Sequence, residues 1–320
     1  MVFKHILVTG ACGQVGSELI SELSLRYGSN RIIASDIKQC SLPEGVRFVP
    51  MNVLDRTALD AVIRENGIDT VFHLAAILSA DGEKNPALAF SVNMQGTFNV
   101  LESSRINSVE RVMIPSTIGV FGPETPKDNV PVLTIIKPRT MYGITKYGAE
   151  LLGNYYFEKY SLDVRGLRYP GLISYKTPPT AGTTDYAVDV FYHAVTGKPY
   201  TCFLKKDTKL PMMYMPDAIG SFLKLSEVPR SRLRYSMDYN VSAFTFDPEG
   251  LFAVIMRYVP DLRVSYEPDF RQKIADSWPA SLDSIDAEND WGFKPEYDLD
   301  HTVRDMISHL RERLQKTGHL

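Results

Sequence analysis

The sequence predicts an α/β fold: a doubly wound parallel sheet with a smaller C-terminal lobe. Three observations carry that prediction. Short β-branched runs alternate with amphipathic stretches through the first half of the chain. These runs show little period-2 alternation, as expected of strands buried on both faces. Three glycines stand where the first run gives way to the first amphipathic stretch.

"HILVTG" (5–10) reads as the first strand, and "QVGSELISELSLRYG" (14–28) as a helix ending at Gly28. "RIIASD" (31–36) and "VRFVPM" (46–51) are the second and third strands. "RTALDAVIREN" (56–66) is a helix and "TVFHLAA" (70–76) the fourth strand. "PALAFSVNMQGTFNVLESSR" (86–105) is expected as one long helix, with Pro86 suited to its first turn. "RVMIPST" (111–117) is the fifth strand, residues 142–160 a second long helix, and "DVRGLRYP" (163–170) the sixth strand. Such alternation implies right-handed βαβ units with helices on both faces of the sheet.

Beyond Pro170 the pattern loosens. Prolines and polar residues cluster in "SYKTPPTAGTT" (174–184). Shorter elements follow, including "MMYMPDAIGSFLKL" (212–225), with helices at 247–259 and 299–314. This part reads as a lobe capping the sheet, not as an independent domain.

The 320 residues are 44% hydrophobic and 23% charged, with a formal net charge of −3, ordinary values for a soluble globular protein. That charge gives no electrostatic reason to expect nucleic acid or an acidic membrane as partner. No 18-residue apolar run exists, so no membrane span is expected. Cys12, Cys40 and Cys202 are scattered and lack CxxC spacing. The expectation is no disulfide framework, no metal site and a reducing intracellular compartment. That compartment is the cytoplasm, or the mitochondrial matrix if the source is eukaryotic. The first strand is expected to begin at about Lys4, so no signal or transit peptide is expected within this sequence.

In "VTGACGQVG", Gly10, Gly13 and Gly16 are each three apart, between a strand and a helix. A tight turn there brings backbone N–H groups of a helix N-terminus to a pyrophosphate. Gln14 and Val15 complete this cofactor-binding turn. Asp36 ends the second strand, twenty residues beyond Gly16, with Ile37 next to it. A carboxylate at that place binds both ribose hydroxyls of NAD and repels a 2′-phosphate.

The glycine spacing resembles that of the extended short-chain dehydrogenase/reductase family, as do "FHLAA" (72–76), "NMQGTFNVLE" (93–102) and "PSTIGVFG" (115–122). The likeness covers essentially the whole chain. It implies a Rossmann domain over residues 1–170 that binds NAD. Residues 171–320 would then be mostly a substrate-binding lobe, some of whose segments return to the Rossmann core. It implies a cofactor wall at Leu74, Ala75 and Ala76, a structural Asn93 beside the cofactor, and Tyr169 at its far side. Asn52 and Val53 fall at the adenine; Asn52 replaces the family's usual Asp and can still accept from the adenine amino group. Thr117 falls at the catalytic Ser/Thr position, and Phe121 replaces a Tyr common in sugar enzymes.

Residues 140–160, "TMYGITKYGAELLGNYYFEKY", hold two Tyr-x-x-x-Lys pairs, Tyr142 with Lys146 and Tyr155 with Lys159. Chance alone readily supplies such pairs in a chain with 17 tyrosines. Position separates them. Tyr142 lies at the helix start, near the carboxyl ends of the strands, where open α/β sheets bind ligands. Tyr155 is rotated by roughly 220° and displaced by roughly 20 Å. Tyr142 and Lys146 are therefore the catalytic candidates, and Tyr155, Tyr156 and Lys159 packing or interface residues. A free Tyr has a pKa of about 10, so a nearby ammonium and a cationic nicotinamide are needed to favour its phenolate. Lys146 can also hold the nicotinamide ribose, and Thr117 can orient the substrate oxygen.

The triad does not choose a substrate. "TAGTTDYAV" (180–188), "KLPMMYMPDAI" (209–219), "YNVSAFTFDPEGL" (239–251) and "ADSWPASLDSIDAENDWGF" (275–293) resemble the short-chain type of L-threonine 3-dehydrogenase. Leu210 and Pro211 stand where sugar-nucleotide enzymes tend to carry an Arg-Asp pair. The resemblance implies oxidation of L-threonine to 2-amino-3-oxobutanoate with NAD. It places Ser79, Ser116, Thr183 and Thr184 on the substrate beside Thr117 and Tyr142, with Trp278 closing the pocket. Asp185 is expected to cap the next helix instead. Two alternatives stay open: a nucleotide-sugar epimerase or dehydratase, and a non-catalytic NAD sensor. The family's habit implies a homodimer through helices 86–105 and 142–160. Phe98, Leu101, Leu152 and Tyr156 are placed either in that interface or against the sheet.

Overall fold

The computed structural model describes residues 3–179 and 182–316. Its strands begin Ile6–Thr9 (β1), Ile32–Asp36 (β2), Arg47–Pro50 (β3), Thr70–His73 (β4), Arg111–Met113 (β5), Ser116–Thr117 (β6), Asp163–Arg165 (β7) and Leu167–Tyr169 (β8). A six-stranded sheet runs in the order β3-β2-β1-β4-β5-β7, parallel throughout. The apolar residues of β1, β2, β4 and β5 are buried, which explains why these strands lack alternation. The order reverses direction between β1 and β4, the switch point where such sheets bind ligands.

The helices of this half are Gln14–Tyr27 (α1), Arg56–Glu65 (α2), Ser79–Lys84 (α3), Pro86–Phe90 (α4), Gly96–Ile106 (α5) and Met141–Tyr160 (α6). The single helix expected over 86–105 is interrupted. Asn85 caps α4 by accepting from Leu88 N, and a π-helical turn at Ser91–Gln95 separates it from α5. The wide turn directs Asn93 inward. Its Oδ1 accepts from Ile77 N (2.8 Å), and its Nδ2 donates to Ile77 O and Thr145 Oγ1, both at 3.0 Å. Asn93 thus clamps the chain leaving β4 to α6. Just after it, Gly96 lies so close to Val53 that a Cβ would meet Cγ2 at 2.8 Å.

The fifth and sixth expected strands each divide in two. Pro115, which has no N–H to donate, ends the main ladder after β5. The chain resumes as β6, which pairs with β8 so that Thr117 lies opposite Tyr169. Gly166 separates β7 from β8, where a Cβ would sit 2.5 Å from Ile114 O. These breaks turn β6 and β8 away from the sheet and over its carboxyl edge.

Gly171–Ile173 (β9) leads into the second half, which includes Tyr186–Val195 (α7), the strand Leu210–Tyr214 and Met215–Glu227 (α8). Tyr186, Phe191, Leu210, Phe252 and residues of the last helix, Leu299–Lys316, form one apolar core there. Met213 and α8 instead join the core beneath α1, where Phe222 meets Phe72 edge-on at 5.7 Å. Buried Arg165 fixes the C-terminus of α8, donating to Leu225 O (2.7 Å) and Val228 O (2.6 Å) while paired with Asp163.

The expectation of no disulfide is corrected. Cys12 and Cys40 form a disulfide, with Cα atoms 5.7 Å apart. Parallel pairing of β1 with β2 sets the loops that leave both strands side by side, which a separation of 28 residues conceals. Cys202 is free and buried. On the outer helices, Leu101 and Tyr156 face inward and Leu152 packs partly against the core, leaving only Phe98 of the four at the surface. No helix among the described residues is long and apolar enough to cross a membrane.

Candidate functional site

A cavity of about 230 Å³ lies at the carboxyl edge of the sheet. One wall is the glycine loop with Gln14 and Val15. Gly10 has φ +67°, and a Cβ on it would sit 2.5 Å from Ala75 N; a Cβ on Gly16 would sit 2.3 Å from Gly10 O. Both positions exclude side chains, so backbone meets backbone and the N-terminus of α1 stays open for an anion. Leu74 and Ala76 line the same cavity, while Ala75 supports Gly10 from behind.

Asp36 stands beside the loop. Its Oδ2 accepts from Cys12 N (3.0 Å) and its Oδ1 from Ile37 N (2.7 Å). Ile37 is exposed. Asn52 lies past the end of β3, where its Oδ1 accepts from Leu54 N (3.0 Å). The carbonyl expected to receive the adenine amino group is thus engaged by its own turn. Val53 is buried against Gly96, and Asn93 serves the clamp described above. Asp36, Ile37, Asn52, Val53 and Asn93 are therefore not among the cavity-lining residues.

Tyr142, Lys146 and Thr117 converge on the opposite wall. Thr140 caps α6 by accepting from Gly143 N (3.1 Å). Gly143 lets the helix start press onto Gly119, whose carbonyl would lie 2.0 Å from a Cβ. That packing fixes the Tyr142 ring beside Thr117. Burial pushes the Tyr142 phenol up to about 12, and the Thr117 hydroxyl partly opposes it. Burial pulls the Lys146 ammonium down to about 8 against the attraction of Glu150. Lys146 Nζ donates to Pro115 O (2.9 Å) and lies 6.0 Å from the Tyr142 ring centre. Protein groups alone therefore favour the neutral phenol of Tyr142. The second pair does make the contact: Lys159 Nζ donates to the Tyr155 hydroxyl at 2.6 Å, but on the exposed side of α6.

Ser116 lines the cavity, yet its hydroxyl donates to buried Glu150, not toward a ligand. Arg168 holds the same carboxylate with two bonds, at 2.9 and 2.8 Å. Glu150 was not anticipated as a site residue, although it stands one further turn along the Tyr142–Lys146 stripe. With it, α6 grips residues 115–117 twice, through the Pro115 carbonyl and the Ser116 hydroxyl.

The remaining wall comes from the second half. Tyr169 presents its ring while its hydroxyl donates to Ala218 O (2.6 Å). Ser79, Thr183, Thr184 and Trp278 all line the cavity. Thr183 is 1% exposed, and its hydroxyl has no hydrogen-bond partner among the described residues. Asp185 precedes α7, but its carboxylate turns back to accept from Gly182 N (3.2 Å) instead of capping the helix. Thr180 and Ala181 of the 180–188 segment lie outside the described residues. Lys127, also unanticipated, donates to the carbonyls of Asp276 and Trp278 and holds the tryptophan's segment in place.

A glycine turn on a helix N-terminus, a carboxylate at the end of β2 and a Tyr-Lys-Thr group at the switch point define a dinucleotide-dependent enzyme class. Residues 6–242 match the NAD dependent epimerase/dehydratase family, and the chain belongs to that family. Its cofactor is NAD. Within the family the chain is similar to L-threonine dehydrogenases. The GalE-like L-threonine dehydrogenase from Cupriavidus necator, in its holo form, is 47% identical with a TM-score of 0.94, over 96% of this chain and 99% of that one. A monomeric L-threonine 3-dehydrogenase from a metagenome is 44% identical with a TM-score of 0.93, over 96% and 99%. An uncharacterized epimerase/dehydratase of Staphylococcus aureus is 42% identical over 97% of this chain and 98% of its own.

Proposed function

We propose that this protein oxidises L-threonine at C3 with NAD, yielding 2-amino-3-oxobutanoate. The observation that carries the reading is the Thr183 hydroxyl. It is buried and without a partner among the described residues, beside the same cavity as Tyr142 and Trp278. A buried hydroxyl left without a partner costs stability unless a ligand completes it. A small zwitterion with a carboxylate does so; the hydroxyls of Thr184 and Ser79 add further donors.

In this reading Asp36 and the glycine loop bind the adenosine and pyrophosphate, and Lys146 the nicotinamide ribose. NAD held there would supply the acceptor for the C3 hydride, and its positive charge would offset the burial that holds Tyr142 neutral. Tyr142 takes the proton of the C3 hydroxyl. Thr117 hydrogen-bonds that oxygen and keeps C3 in line. Trp278 covers the pocket and excludes water.

The deciding experiment mixes purified protein, NAD and L-threonine and follows NADH absorbance. NADP, L-serine, L-allo-threonine and a UDP-sugar form parallel arms. NADH growth confined to L-threonine with NAD supports the proposal. Conversion of the UDP-sugar without threonine oxidation would replace it with an epimerase.

The same reading includes a homodimer. Phe90, Phe98, Ile106, Ile144, Leu151 and Tyr155 are 38–53% exposed on α4, α5 and α6, an apolar face that a second copy would cover. Sedimentation equilibrium tests it; a monomer at micromolar concentration refutes it.

A further inference from the structure

We propose that Cys12 and Cys40 form a redox-sensitive tie across the adenosine side of the NAD site, opened and closed by thiol–disulfide exchange. Cys12 lies inside the glycine loop, between Gly10 and Gly13. Cys40 lies four residues beyond Asp36. Their bond joins the loop that holds the pyrophosphate to the segment that leaves the ribose-binding carboxylate. The backbone N–H of Cys12 donates to Asp36 Oδ2, so one residue links both arms of the ribose cradle, covalently and by hydrogen bond.

The segment that carries Cys40 needs such a tie. Residues 37–46 contain no helix or strand, and each of them is exposed or half-buried. Asp36 at the end of β2 and Arg47 at the start of β3 anchor its two ends. The disulfide fastens its middle to the glycine loop. Both sulfur-bearing residues are half-buried, within reach of a small thiol, whereas Cys202 is fully buried.

The chemistry balances with a small disulfide or dithiol as co-reactant. One protein thiolate attacks a small disulfide R–S–S–R, releasing one R–S thiolate and leaving a mixed disulfide; the second protein thiolate attacks that mixed disulfide at the protein sulfur and releases the other. One S–S bond breaks, the Cys12–Cys40 bond forms, and two electrons and two protons leave with two R–SH molecules. A dithiol reverses each step. The closed form holds both arms in place before NAD arrives; the open form must order residues 37–46 on binding. Reduction is therefore expected to raise the Kd for NAD about fivefold.

The test titrates NAD into the protein by calorimetry, after incubation with oxidised glutathione and again after excess dithiothreitol. Thiols are counted in denaturant under both conditions. Three cysteines with one bridge predict one titratable thiol when closed and three when open. ADP-ribose should weaken in parallel with NAD, because only the adenosine side is affected. Cys40→Ser should bind like the reduced protein and ignore dithiothreitol. Three thiols after oxidation, or an NAD Kd that does not move on reduction, overturns the proposal. Neither readout involves threonine, so these results are independent of the substrate assignment.

Discussion

Replacing Thr183 by Val separates the cost of a functional group from its use. The side chain is 1% exposed and its hydroxyl lacks a partner among the described residues. Val keeps the shape and removes the oxygen. An unsatisfied buried hydroxyl costs about 1–3 kcal/mol, so the ligand-free variant should be more stable than the parent by about that amount. For 320 residues the unfolding entropy is about 0.7 kcal/mol/K, which makes the expected rise in Tm about 1.5–4 °C. Catalysis should move the other way. A hydroxyl that donates to the substrate carboxylate makes a charge-assisted bond of about 1.5–3 kcal/mol, so KM for L-threonine should rise about tenfold to a hundredfold. Differential scanning fluorimetry without substrate and steady-state kinetics measure the two effects on one preparation. A variant that melts lower than the parent with an unchanged KM would falsify the argument. The hydroxyl would then be satisfied within the protein and idle toward substrate.

Tyr142→Phe should cut kcat at least a hundredfold while leaving the NAD Kd within about twofold; steady-state turnover and calorimetry check the pair. Because burial holds the Tyr142 phenol high and its phenolate is the active form, turnover should rise about tenfold per pH unit on the acid limb; Lys146→Met should move that limb to higher pH, and an unmoved limb would remove Lys146 from the electrostatics of the base. Stability should depend on His73, whose buried ring bonds Thr9 and Thr97 (2.8 and 3.1 Å) and is held down to about 3 by desolvation. The unfolded chain protonates it near 6.5 and the folded one does not. Stability is therefore lost as pH falls from about 6.5 toward 3, at about 1.4 kcal/mol or about 2 °C of Tm per unit. His73→Gln lacks that titration, so the difference between the two melting curves should show the slope; parallel curves across that window would mean the folded protein protonates His73 at its ordinary pKa.

The parts legible in the sequence are those whose cause is local. Apolar runs without alternation mark buried strands, and the glycine triplet marks the first βα turn because its neighbours, Ala75 N and Gly10 O, leave no room for a Cβ. Asp36 follows from counting along the chain. The divided strands were half legible: Pro115 and Gly166 are visible breakers, but only the close approach to Ile114 O shows why the chain must turn there. The π-helical turn was not legible, since Ser91–Gln95 has ordinary helical composition and its cause is the distant carbonyl and amide of Ile77. The bond from the Ser116 hydroxyl was not legible for the same reason, its partner Glu150 being 34 residues away.

The disulfide belongs between these classes. Spacing along the chain says nothing about Cys12 and Cys40, and scattered cysteines argue against a bridge. Strand order changes that. In a parallel sheet whose first two strands are neighbours, chains leaving those strands emerge on one edge, about 5 Å apart. Cys12 is three residues past Thr9, and Cys40 four past Asp36, the last residues of β1 and β2. Once the glycine loop has identified the first strand, and the alternation the second, their separation is a matter of topology and not of sequence distance. The same edge gathers Asp36 and the glycine loop. A cysteine pair placed there can affect little else before it affects the nucleotide, which is why its redox state is expected to register in NAD affinity rather than in the stability of a remote surface.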